Sequence, residues 1–192
     1  MLVNLSQVCV ATYDHHQGSA RALAWDPLSN GQVFSSGARD GAICVWDLRQ
    51  SSPAIHIHRA HNRSRRKRVP HSAGVTSLVY LENGQLVSSG SENAIVQGWD
   101  LKMPTDPISQ SQDVSKTRTN NTRPHGISSL AYAAKRGRIY AACTDGSVYT
   151  LDSHLSSSLV PNEPSFLYHD TQRHNTLYAH QWGLMVCRRE RA

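Results

Sequence analysis

Ser35-Ser-Gly-Ala-Arg-Asp-Gly-Ala-Ile-Cys-Val-Trp-Asp-Leu-Arg49 and Ser88-Ser-Gly-Ser-Glu-Asn-Ala-Ile-Val-Gln-Gly-Trp-Asp-Leu-Lys102 say the same thing twice. Both open on Ser-Ser-Gly and close on Trp-Asp-Leu followed by a basic residue. A third copy is degraded but in register. Ile127 to Asp152 lies over Val75 to Asp100 without a gap, matching Leu130 to Leu78, Tyr132 to Tyr80, Asp145 to Asn93 and Asp152 to Asp100. Its tryptophan is replaced by Leu151. In the first copy the opening segment is Ala20 to Trp25, with Leu23 and Trp25 at the positions of Leu78 and Tyr80. Self-similarity at a fixed period decides the architecture before any local motif does.

Each copy reads as a small antiparallel sheet. Ala20 to Trp25, Val33 to Ser36 and Ala42 to Trp46 are short runs separated by Asp26-Pro27-Leu28-Ser29-Asn30-Gly31 and by Arg39-Asp40-Gly41, which are turn chemistry. Asp-Gly between strands predicts a tight hairpin because glycine accepts positive φ without steric cost. The second copy weakens this signal to Asn93-Ala94, and the third restores it as Asp145-Gly146. A fourth strand follows in the first copy at Ala54-Ile55-His56-Ile57-His58, whose period of two puts Ile55 and Ile57 on one face.

A self-similar unit ending in Trp-Asp resembles the WD40 blade, which implies an all-β propeller. That resemblance also implies a hydrogen-bond relay in each blade, from a histidine before the first strand, through a serine and the turn aspartate, to the indole of the Trp-Asp pair. His16, one of Ser35 and Ser36 (with Ser36 preferred), Asp40 and Trp46 match in the first copy. In the second, His71 stands four residues before Val75 as His16 stands before Ala20, and His61 is its rival; Asn93 in place of aspartate predicts a weaker relay. The third copy, without its tryptophan, is expected to form none.

The Trp-Asp positions recur every 52 to 53 residues, against about 40 to 45 for such a repeat. Insertions explain the excess. The resulting division places the outer strand of a preceding blade at 5–14, a blade at 15–58, a basic insertion at 59–73 and a second blade at 74–103. A polar loop follows at 104–123, then a degenerate blade at 124–155 and the start of an incomplete blade at 164–192. The chain of 192 residues therefore reads as a partial propeller, about three blades with incomplete ones at both ends.

The four cysteines are far apart with no Cys-x-x-Cys pair, and Met1 to Ala11 lacks the basic start of a secretory leader, which predicts an intracellular, reduced protein. No run approaches the roughly 18 apolar residues needed to span a bilayer, so no membrane partner is expected. The net charge of +6 is concentrated in Arg63-Ser64-Arg65-Arg66-Lys67-Arg68. Such a run suits nuclear import or contact with phosphates or an acidic partner, or is a plain solvated loop. No aromatic interrupts it, so base stacking has no platform there and sequence-specific nucleic-acid binding is not expected.

Histidine is abundant at 11 residues, with His56, His58 and His61 the densest group. No cysteine or carboxylate lies close in sequence to complete a zinc set, and they read as surface or capping residues, with no metal and no cofactor. No phosphate loop, Gly-x-Ser-x-Gly elbow or His-Glu-x-x-His pair is present. No catalytic residue is assigned.

Finer features resemble the denticleless family, particularly its fungal members. They are Trp46-Asp47-Leu48-Arg49, a Trp-Asp-x-Arg motif; Ala60-His61-Asn62-Arg63 with the basic insertion and Gly74-Val75-Thr76-Ser77-Leu78; Ser91 to Val96 before Trp99-Asp100-Leu101; Arg123 to Leu130; and Thr144 to Tyr149 with Ser153-His154-Leu155. The resemblance implies a non-catalytic substrate receptor of a cullin-4 RING ubiquitin ligase in the nucleus, or else in the cytoplasm. Its implied partners are the damaged-DNA-binding adaptor and protein substrates displayed on proliferating cell nuclear antigen, in control of replication and the cell cycle. Trp46, Asp47 and Arg49 are the implied adaptor contacts, with Trp99, Asp100 and Lys102 second; Lys102 departs from the motif's arginine. Two rival readings are a generic WD40 interaction scaffold and a nonfunctional receptor fragment.

Overall fold

The computed structural model describes residues 2–3, 9–62, 72–111, 125–153, 155 and 165–169. Three four-stranded antiparallel sheets dominate it. The first blade is β3 (Ala20–Trp25), β4 (Val33–Ala38), β5 (Ile43–Asp47) and β6 (Ile55–Ile57). The second is β9 (Val75–Tyr80), β10 (Leu86–Gly90), β11 (Val96–Trp99) and β12 (Ser109–Gln110); the third is β13 (Ile127–Ala133), β14 (Arg138–Cys143), β15 (Ser147–Asp152) and β16 (Ser165–His169). Two short ribbons accompany them: β1 (Leu2–Val3) with β2 (Cys9–Ala11), and β7 (His61–Asn62) with β8 (Ser72–Ala73).

Register makes the three blades superimposable. Trp25 pairs with Phe34, Tyr80 with Leu86, and Tyr132 with Ile139; across the next pair, Trp46 faces Phe34, Trp99 faces Leu86, and Leu151 faces Ile139. All three first strands carry a bulge at one position, next to Arg21, Thr76 and Ser128. The ungapped sequence match of the third copy nevertheless shifts its middle strand by one residue. The β13–β14 connection, a short 3-10 turn at Ala134–Arg136 closed by Gly137 at φ 58°, is one residue longer than its counterpart, and the β14–β15 turn is one shorter. A one-residue shift exchanges the two faces of a strand, so Ala141, and not Tyr140, occupies the place of Ser36 and Ser88.

The blades stack face to face. Ala22, Ala24, Ile43 and Ile57 of the first meet Val75, Leu78, Tyr80, Leu86 and Trp99 of the second. Val79, Val87 and Val96 of the second meet Ile127, Leu130, Ile139, Ala141, Tyr149 and Leu151 of the third. Hydrogen bonds cross both contacts: Ser35 Oγ to Tyr80 Oη at 2.6 Å, Thr76 Oγ1 to the Ile127 carbonyl at 2.6 Å, and the Leu130 amide to Ser77 Oγ at 3.0 Å. Each buried Leu or Val contributes about 1.5–3 kcal/mol, each hydrogen bond about 1. Apolar packing therefore holds the blades together, and the polar contacts fix their alignment.

Two blade boundaries differ from those read in the sequence. β12 lies inside the stretch read as a polar loop, because an outer strand pairing through its backbone needs no apolar signal; the remainder of that loop, 112–123, lies outside the described residues. Residues 165–169, read as the start of another blade, instead pair with β15 and complete the third blade, since β15 offers them an unpaired edge. The ribbon of β7 and β8 frames the basic insertion, whose Arg63, Arg65, Arg66, Lys67 and Arg68 lie outside the described residues.

Candidate functional site

His16, on the segment between β2 and β3, places Nε2 2.7 Å from Ser36 Oγ, and the indole Nε1–H of Trp46 donates to the same oxygen at 2.7 Å. His16 Nδ1 lies 3.4 Å from Asp40 Oδ2. One proton arrangement uses every group once: Trp46 N–H to Ser36 oxygen, Ser36 O–H to His16 Nε2, His16 Nδ1–H to Asp40. The order along the relay is therefore Asp40, His16, Ser36, Trp46, whereas the sequence reading placed the aspartate next to the indole. Asp40 sits at the outer end because its carboxylate also accepts the amides of Gln17 at 2.8 Å and Ala42 at 2.9 Å. Burial pushes its pKa up, but the Ala42 and Gln17 amides and His16 outweigh this, and the net direction is down.

The second blade repeats the device with His61. His61 Nε2 lies 2.9 Å from Ser88 Oγ, which accepts the Trp99 indole N–H at 2.8 Å. His71, the residue whose spacing matched His16, lies outside the described residues. His61 is fully buried, and burial holds its pKa down at about 3 against a small upward pull from Asn93. His61 Nδ1 and Asn93 Oδ1 are both buried without a well-formed hydrogen bond. Asparagine in the aspartate's place thus leaves this end of the relay loose.

The third blade replaces the relay with a different bond. Tyr149, 1% exposed, donates its hydroxyl to Asp145 Oδ2 at 2.7 Å, while Asp145 Oδ1 accepts the Ser147 amide at 2.8 Å. Burial, then Asp145, raises the Tyr149 pKa. Sequence reasoning missed Tyr149. Its signal was its place, two residues before Leu151 as Cys44 is before Trp46, with a ring long enough to reach the turn aspartate.

At the close of the first Trp-Asp the chain makes a tight corner. Asp47 Oδ1 accepts the Arg49 backbone amide at 3.0 Å and its Nε–H at 2.9 Å, and Asp47 Oδ2 accepts Nη2 at 2.5 Å. This side-chain fork, with Arg49 donating directly and through its amide, lowers the Asp47 pKa to about 2 and raises that of Arg49. The arginine side chain is still 74% exposed. Two of its five N–H donors are used in the fork, leaving three for an acceptor on a partner. At the second corner Asp100 Oδ1 accepts the Lys102 amide at 2.9 Å, but lysine has no planar fork to return. Trp46 and Trp99 are 1% and 2% exposed, so of the two motifs only Arg49 and Lys102 offer extensive side-chain surface.

The histidines divide. His15 Nε2 lies 3.3 Å from His56 Nδ1, and the His56 and His58 rings are 3.8 Å apart at their centroids, whereas His61 belongs to the second relay. Burial, then His58, His15 and His16, lower the His56 pKa against Asp40. Among the described residues no group of three or more His, Cys, Asp or Glu is arranged to hold a metal ion. Burial pushes the Cys44 and Cys143 thiols up to about 12, and no described helix is long and apolar enough to cross a membrane.

The repeat family described as WD domain, G-beta repeat matches residues 7–47 and 63–100, the segments that end at the two Trp-Asp corners. The chain carries WD40 repeats. It is similar to the denticleless protein homologue of Mus musculus, 30% identical with 73% of this chain aligned to 22% of that one, and to that of Homo sapiens, 29% identical with the same coverage. The lethal(2)denticleless protein of Drosophila melanogaster is 26% identical, with 72% of this chain covering 21% of it. The WD40 chain thus spans about a fifth of the length of these relatives. In this WD40 chain the relays hold each Trp-Asp pair in place, and the corner after it carries the exposed cation.

Proposed function

We propose that this WD40 chain supplies the adaptor-binding, substrate-recognition surface of a cullin-4 RING ubiquitin ligase, directing ubiquitin transfer to replication and cell-cycle proteins without catalysing it. The observation that carries the reading is the Asp47–Arg49 fork, an exposed guanidinium held in one orientation at the end of a blade strand. Similarity to the denticleless proteins supports it. Arg49 is the adaptor contact, and Asp47 positions it; Trp46 acts from beneath through Ser36. Lys102 and Asp100 form a second, weaker contact. The adaptor is the damaged-DNA-binding subunit, and substrates displayed on proliferating cell nuclear antigen in the nucleus are the cargo. Tagged chain should co-purify the adaptor and Arg49→Ala should lose it, as scored by mass spectrometry; recovery that does not differ between the two would sink the reading.

A generic WD40 scaffold is the second reading. The second corner favours it, because Lys102 lacks the fork that Arg49 makes with its aspartate.

A further inference from the structure

Three imidazoles that serve neither relay meet at one point of the first blade. His15 precedes His16 on the segment leading into β3, while His56 lies in β6 and His58 follows it directly. His15 Nε2 is 3.3 Å from His56 Nδ1 with the rings edge to face at 4.7 Å, and the His56 and His58 ring centroids are 3.8 Å apart. The segment that carries His15 also caps the first relay. Tyr13 stands edge-on to Trp46 and Phe34 at 5.2 and 5.3 Å, the His15 ring is edge-on to Trp46 at 6.5 Å, and His16 reaches Ser36. A bond between two imidazoles needs one ring nitrogen with its hydrogen and one bare nitrogen to accept it. Such a bond survives a first proton on the pair and not a second. Doubly protonated, the pair has two donors and two like charges facing each other, with His58 a third beside them.

We propose that His15, His56 and His58 form an acid-released latch: the His15–His56 bond ties segment 13–19 to β6, and protonation of both rings frees the segment and loosens its cap over Trp46. The groups around His56 set the direction. Burial, then His58, His15 and His16, lower its pKa, and Asp40 pulls it up. That upward pull is the smallest of the five, and the carboxylate is already held by the Gln17 and Ala42 amides and by His16. Cys44, opposite His56 across β5 and β6, stays neutral because burial pushes its thiol up to about 12. Asp14 and Arg59 are the charged neighbours along the chain. With the segment released, the imidazoles titrate near the ordinary value of about 6.5. The released form therefore binds the extra proton, so the latch is closed above about pH 6.5 and opens as pH falls below it. The inference is independent of the ligase reading.

Hydrogen exchange followed by NMR on the whole chain tests it, with near-ultraviolet circular dichroism to show that each variant is folded. Two amides report on the segment: that of Gln17, bonded to Asp40, and that of Arg39, bonded to the Ser19 carbonyl. Each rate is divided by its value in an unstructured chain, at about pH 7.5 and about pH 5.5, on either side of the imidazole range. In the parent, protection of both amides should fall about tenfold between the two, the effect of one pH unit of displacement. His56→Gln keeps a neutral acceptor for His15 at both values and should keep its protection. The ring titrations give a second reading, in which the His56 midpoint should rise in His15→Gln and in His58→Gln, since each removes a neighbouring cation. His58→Gln changes an exposed side chain and serves if His56→Gln does not fold. Equal protection of the parent at both pH values, the same loss in His56→Gln as in the parent, or a His56 midpoint that neither neighbour moves would each overturn the proposal.

Discussion

Asp47 holds Arg49, two residues downstream, with both carboxylate oxygens: Oδ1 takes the backbone amide and Nε–H, and Oδ2 takes Nη2. The fork depends on the aspartate being ionised. Its folded pKa of about 2 lies below the usual unfolded value of about 3.9, so the contribution is fully present above about pH 4 and is lost as pH falls through about 2. In Arg49→Ala the Asp47 carboxyl should titrate nearer the unfolded value when followed by carbon-detected NMR. An unchanged titration would show that arginine does not hold the aspartate.

Ser36 is the shared centre of the first relay. Ser36→Ala leaves the Trp46 indole N–H without its acceptor and His16 without its donor, and leaving one buried group unsatisfied costs about 1–3 kcal/mol. Urea unfolding should show a loss of that order. Asp40→Asn should cost less, because one of the two backbone bonds, from the Ala42 amide to Oδ1, can persist through the single side-chain oxygen while the bond from Gln17 to Oδ2 is lost. A Ser36→Ala variant as stable as the parent would remove the relay from the account.

His61 is buried as the neutral imidazole, with a folded pKa of about 3 against about 6.5 when unfolded. Between those values the unfolded chain binds the extra proton, so stability is full above about pH 6.5 and declines as pH falls towards 3. His61→Gln should weaken the protein at pH 7.5 and flatten its pH dependence between pH 7 and 5, as measured by denaturant unfolding. An equal slope in both proteins would assign the dependence elsewhere.

The basic segment carries its own test. Replacing Arg65, Arg66, Lys67 and Arg68 with neutral residues should move a fluorescently tagged chain from nucleus to cytoplasm. Unchanged distribution would reduce the segment to a solvated loop.

Much of the architecture is legible in two kinds of residue. The Trp-Asp pairs and the Asp-Gly turns fix where strands end, and β3 runs over Ala20–Trp25 as its pattern predicts. What local pattern cannot supply is pairing. Ser109–Gln110 forms a strand only because β11 offers backbone partners, and residues 165–169, which read as the start of a following blade, join the third because β15 pairs with them. The relay shows the same limit. Ser35 and Ser36 are adjacent and chemically identical, and only strand alternation sends Ser36 to Trp46 and Ser35 to Tyr80 of the next blade. His61 and His71 both precede the second blade, and burial beside Ser88, which no spacing reports, gives the role to His61.

The account turns on whether the Arg49 guanidinium, positioned by Asp47, is what an adaptor reads. Calorimetric titration of the purified cullin-4 adaptor into the chain, Arg49→Lys and Asp47→Asn measures this directly. Lysine keeps the charge but loses the planar fork, and asparagine keeps an oxygen but loses the charge that orients it. The expected result is binding by the parent, with affinity reduced roughly tenfold or more in both variants, about 1.4 kcal/mol. Equal affinity for all three folded proteins, or no binding by the parent, would contradict the account.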